Sequence, residues 1–79
     1  MTPTDRQVGM LVHLMQDSRR CDALPARMVG KADMRFAEFE QRMRARLSVE
    51  TASDLIAYLK AVTDKDLVQT RLRQEGLTD

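Results

Sequence analysis

Cys21 is the only cysteine in a chain of 79 residues. That combination of short length and lone thiol constrains the fold more than any other feature. A domain of this size buries only about 60–65% of the surface its unfolded form exposes. The usual reinforcements are disulfides, a bound metal or association with another chain. One cysteine rules out an internal disulfide and gives no support to an oxidising compartment. Cys21, His13 and scattered carboxylates show no Cys-x-x-Cys or His-x-x-x-His spacing that would gather a tetrahedral metal site. What remains is close helix packing or association with another chain.

The composition selects helices. Hydrophobic residues make up 43% and charged residues 32%, which suits a globular chain better than a disordered one. Three glycines, two prolines, no tryptophan and 4% aromatic residues are too few turn formers and β-formers for a sandwich or barrel. No apolar run approaches the ~20 residues of a membrane span, and the first nine residues are too polar for a signal peptide. The expected location is therefore the cytoplasm, with no membrane partner.

Apolar spacing divides the chain into segments. Val8, Leu11, Val12 and Met15 follow the i, i+3, i+4, i+7 pattern of one helical face, and a first helix is expected from about Pro3 to Arg19. Met10 and Leu14 widen its apolar arc to roughly 200°, about twice what packing against one neighbour needs. Val29, Ala32, Phe36, Phe39 and Met43 alternate in steps of three and four, the seam of a heptad, within a second helix from about Pro25 to Leu47. Gly30 is its weak point, costing about 1 kcal/mol relative to Ala. Ser48 caps a third helix carrying Ala52, Leu55, Ile56 and Leu59. A cap signal at Thr63-Asp64 opens a fourth, which stops at Gly76 with Leu77 placed to touch Leu72. The expectation is an all-α single domain over residues 1–79, a compact bundle of three to four helices with short connections, dimerising through a helical seam.

The net charge is +1, so no whole-chain field draws the protein to a polyanion. Locally the balance is +1 over residues 1–30, +2 over 31–47 and −2 over 48–79. On the second helix Lys31, Arg35, Arg42 and Arg46 share an arc of roughly 60° beside the apolar seam, with Glu38 able to pair with Arg42. Such a ridge suits an acidic partner; as a solvated flank, its stems would simply cover the seam.

Catalytic groups are scarce. His13 titrates near neutrality but stands beside Asp17 alone, the ordinary setting of a surface histidine. Cys21 has arginine neighbours, yet it lies near a helix C-terminus and no second histidine exists to activate it. A half-buried small hydrophobe is the simpler reading. Gly30-Lys31 matches only the end of a phosphate loop, with the first glycine missing and no strand before it. We expect no enzyme, no cofactor, no metal and no small-molecule substrate.

Two binding readings remain. Met15, Met28 and Met43 fall on core stripes, whereas Met10 and Met34 lie off them and suit an adaptable contact surface. In size, helicity and lack of catalytic groups the chain resembles, in general type, the small regulatory proteins of bacteria and their phages, which occupy a surface of a larger protein. The leading expectation is a homodimeric regulator that inhibits a protein partner by masking it. Met10, Leu14 and Met34 would give apolar contact, and Lys31, Arg35, Arg42 and Arg46 steering. The alternative is a helix-turn-helix over residues 48–74 that binds DNA through Lys65, Gln69, Arg71 and Arg73. Its turn lacks glycine, and Asp54, Asp64, Asp66 and Glu75 surround it with charge that repels phosphate.

Overall fold

The computed structural model describes residues 1–29 and 36–78, and every regular element among them is helical. In chain order these are α1 (Asp5–Met15), α2 (Ser18–Cys21), α3 (Ala26–Val29), α4 (Ala37–Arg46), α5 (Val49–Ala61) and α6 (Lys65–Gln74). The all-α expectation holds; the boundaries differ in instructive ways.

Helix α1 starts two residues later than expected. Thr4, not Thr2, is its cap: the Thr4 hydroxyl accepts the Gln7 N–H at 3.1 Å and the Gln7 side chain accepts the Thr4 N–H at 3.0 Å. This reciprocal pair satisfies two donors that a helix start otherwise leaves open. The helix also ends early, at Met15. The Asp17 carboxylate accepts the Arg19 N–H at 2.9 Å, so an acidic side chain starts a new turn, α2, where the first helix was expected to continue.

The expected second helix is broken more deeply. Phe36 has φ +67°, a left-handed conformation that a bulky L-residue avoids, and α4 begins only after it. Core burial holds the residue there: Phe36 is 1% exposed, and its ring lies 6.4 Å from that of Phe39. Gly30, the expected weak point, lies outside the described residues.

Helices α5 and α6 follow the sequence closely. Ser48 caps α5, accepting the Thr51 N–H at 3.1 Å. Asp64 rather than Thr63 caps α6, accepting the N–H groups of Asp66 and Leu67 at 2.9 and 3.2 Å. At the far end Gly76 adopts φ +75°, and the Leu77 N–H reaches back to the Leu72 carbonyl at 2.9 Å. That is the Schellman stop, with Leu72 and Leu77 both fully buried.

The main packing pair is α1 against α5, and two side chains show that they run parallel. At their N-terminal ends, Gln7 Nε2 donates to the Val49 carbonyl at 2.9 Å. At their C-terminal ends, Arg20 donates through Nε to the Val62 carbonyl at 3.2 Å and through Nη1 to that of Leu14 at 3.4 Å. Helix α4 runs back along α1, so that Arg44 near its end meets Asp5 near the start of α1 at 2.7 Å. The C-terminal tail then crosses α4, where Arg42 donates to the Leu77 carbonyl at 3.5 Å. The core between these elements contains Val8, Leu11, Met15, Met28, Phe36, Phe39, Met43, Leu55, Leu59, Val68, Leu72 and Leu77.

This packing changes the reading of the two apolar faces. The extra circumference of the first helix is absorbed in part, since α1 touches α5, α4 and α2 and Leu14 packs against the core, while Met10 stays exposed. Phe36, Phe39 and Met43 of the expected heptad seam are buried in the chain's own core and offer nothing to a second chain. Val29 and Ala32 of that seam are not among the side chains described.

Candidate functional site

The candidate partner-binding residues do not form one surface. Asp5, paired with Arg44, marks the side of α1 that faces α4. At 100° per residue Met10 lies about 140° around the helix from Asp5 and Leu14 about 180°. The apolar candidates therefore stand on the opposite side of α1 from Arg42 and Arg46. Met10 is 37% exposed, one of three large apolar side chains, with Met1 and Leu67, exposed among the described residues. Leu14 is half-buried against the core. Lys31, Met34 and Arg35 lie outside the described residues.

On α4 the arginines divide by role. Arg42 is half-buried, paired with Glu38 at 3.3 Å and donating to the Leu77 carbonyl, so it ties the C-terminal tail to the bundle. Glu38 also takes Arg27 of α3 at 2.8 Å, which makes it the hub of a three-residue network. The pairing of Arg42 with Glu38 expected from their four-residue spacing is present. The remaining exposed positions on α4 are Gln41, Arg44, Ala45 and Arg46; Arg44 is turned to Asp5 of α1 and Arg46, about 160° further round, to the C-terminal tail. The Arg46 stem lies along the tail, its Cδ 3.0 Å from where a Cβ on Gly76 would stand.

The hairpin of the DNA reading is present as a shape, α5 followed by Val62-Thr63-Asp64 and α6. Its four side chains diverge in setting. Lys65 and Arg73 are exposed and Gln69 is half-buried. Arg71 folds back on its own chain, its guanidinium 5.0 Å from the Tyr58 ring centre and its Nε 3.0 Å from the Glu75 carboxylate. The same surface exposes Asp64, Asp66 and, at 55%, Leu67. An acidic rim and a bare leucine are poor company for a phosphate backbone.

The other reactive residues have ordinary settings. His13 is exposed on α1. The Asp17 carboxylate is turned to Arg19, at 3.3 Å, and to Arg20, at 3.6 Å. The hydrogen bond from the Arg19 guanidinium, followed by that from the Arg19 N–H, holds Asp17 below the usual carboxylate range. Cys21 is half-buried against the core. No helix among the described residues is long and apolar enough to cross a membrane.

The sequence reading missed one structural residue. Arg20 lies one residue past the expected end of the first helix, yet it is 8% exposed and ends two helices at once. A cationic donor at two C-terminal carbonyls opposes the negative end of both dipoles. No spacing rule signals such a role, because the carbonyls of Leu14 and Val62 meet only in the folded chain.

No protein-family model, curated protein or solved structure matches the chain.

Proposed function

We propose that this chain is a non-enzymatic regulatory protein that binds a larger protein and inhibits it by masking part of its surface. The observation that carries the reading is the separation of Met10 from Arg42 and Arg46 around α1. One molecule thereby offers an apolar contact on one side and a basic contact on the other. The partner takes the basic side. Arg44 and Arg46 are exposed at the end of α4, and Lys31 and Arg35 precede that helix in the sequence. A partner of complementary chemistry presents an acidic surface, which gives steering and register more than raw affinity.

The test is a double variant, Arg44→Glu with Arg46→Glu. Arg42 is left intact because it anchors the C-terminal tail. Wild type and variant are used as affinity baits in lysate of the source cells, with helicity checked by circular dichroism. A protein retained by the wild type and lost by an equally helical variant supports the reading. Retention of the same protein at the same affinity by both removes the basic face from the account.

A further inference from the structure

The side of the α1–α5 pair away from α4 and α6 carries two rows of residues that match each other in reverse. Helix α4 packs on the Asp5 side of α1, and α6 lies on the Tyr58 side of α5, where the Tyr58 hydroxyl donates to the Leu67 carbonyl at 3.2 Å. Arg42 joins α4 to the tail of α6, so both cover the same side of the pair. On the opposite side α1 presents Arg6, Met10 and His13, one helical row, and Asp17 follows in the turn after the helix. Helix α5 presents Glu50, Ser53, Ala57 and Lys60, a row stepping by three, four and three residues. All are exposed except Asp17, which is half-buried. Read from the N-terminal end, the first row is a base, an apolar residue, a histidine and an acid; the second is acidic, small, small, basic.

The Gln7–Val49 bond sets the two rows level, placing Arg6 and Glu50 at one end and Asp17 and Lys60 at the other. Arg6, Glu50 and Lys60 make no ion pair with the described residues of their own chain. We infer that this face binds a second copy of the chain, about a two-fold axis parallel to α1 and α5. Such an axis lays α1 of one copy over α5 of the other, in parallel and at equal height. Arg6 then meets Glu50 of the second copy, Lys60 of the second copy meets Asp17, and Met10 seats over Ser53 and Ala57 of the second copy. Each contact occurs twice, as an isologous interface requires. Small residues opposite the methionine let the helices approach closely. The face measures about 20 Å by 20 Å from helix lengths and widths, so the dimer buries roughly 800 Å² in all and belongs among weak, exchanging complexes.

The inference takes from the proposed function only that the partner leaves this face open. Sedimentation equilibrium of the full chain in low salt, from about 10 to 500 µM, tests it. The expected result is a reversible monomer–dimer equilibrium with a dissociation constant on the order of 10⁻⁵ to 10⁻⁴ M. Arg6→Glu and Glu50→Arg should each weaken the dimer about fivefold, and the double variant should return it to within about twofold. A chain that stays monomeric throughout overturns the inference and leaves the face to another protein. A dimer that ignores both single reversals, or one that the double variant fails to restore, also overturns it. None of these substitutions touches α4, so loss of partner capture and loss of the dimer are read separately.

Discussion

Arg20→Met is the substitution that most directly questions the helix arrangement. The methionine keeps an apolar stem of similar length and removes the guanidinium. Lost with it are the bonds to the Val62 and Leu14 carbonyls at 3.2 and 3.4 Å and the ion pair with Asp17 at 3.6 Å. A hydrogen bond from a charged donor contributes about 1.5–3 kcal/mol at good geometry. Both distances lie at the long end of the range, so about 1 kcal/mol for each is the appropriate figure. Asp17 keeps Arg19, which limits the ion-pair loss. The sum is about 2 kcal/mol, or a melting temperature lower by roughly 8–16 °C in a domain of this size. Arg20→Lys can serve only one of the two carbonyls well and should retain about half of the stabilisation. Urea and thermal unfolding measure both variants. An Arg20→Met protein within about 0.5 kcal/mol of wild type, or a lysine variant equal to it, would refute the bridging role.

Three further outcomes follow from named residues. Gly76→Ala should destabilise the fold by about 1–2 kcal/mol in urea unfolding, because φ +75° disfavours a Cβ and that Cβ would stand 3.0 Å from Arg46 Cδ. The Asp17 carboxyl, followed by NMR titration, should protonate below an ordinary aspartate. Its folded value is the lowered one, so its stabilisation is complete above the usual carboxylate range and disappears as pH falls through that lowered value. Mixed-sequence duplex DNA, followed by fluorescence anisotropy at roughly 50 and 200 mM salt, should show no submicromolar binding; tight binding that collapses at the higher salt would reinstate the α6 reading.

Local signals were legible and distant ones were not. Ser48, Gly76 and Leu77 act through partners within five residues, and each does what the sequence pattern implies. The burial of Met15, Met28 and Met43 and the exposure of Met10 likewise follow from which stripe each occupies. The continuous second helix failed because a heptad pattern records which side chains are apolar, not the backbone that connects them. Phe36 is as buried as the pattern implies, in a left-handed conformation after which α4 starts. The first helix stopped early because Asp17 competes for a backbone N–H, a contest that apolar spacing does not register. For the site, the exposed methionine was readable from α1 alone. Its opposition to the α4 arginines was not, since it depends on where Arg44 finds Asp5. The matching row on α5 escaped for the same reason: two helices 42 residues apart become neighbours, through their shared core and the Gln7 and Arg20 bonds, only in the folded chain.

The central claim is that one chain uses two opposite faces for two different contacts. Photo-crosslinking in the source cells tests it with a reactive residue placed either at Ala45 on α4 or at His13, one turn from Met10 on the same side of α1. Position 45 should yield an adduct with a larger, different protein. Position 13 should yield an adduct of about twice the 9.1 kDa chain mass. The same foreign adduct from both positions, or a self-adduct from position 45, would contradict it.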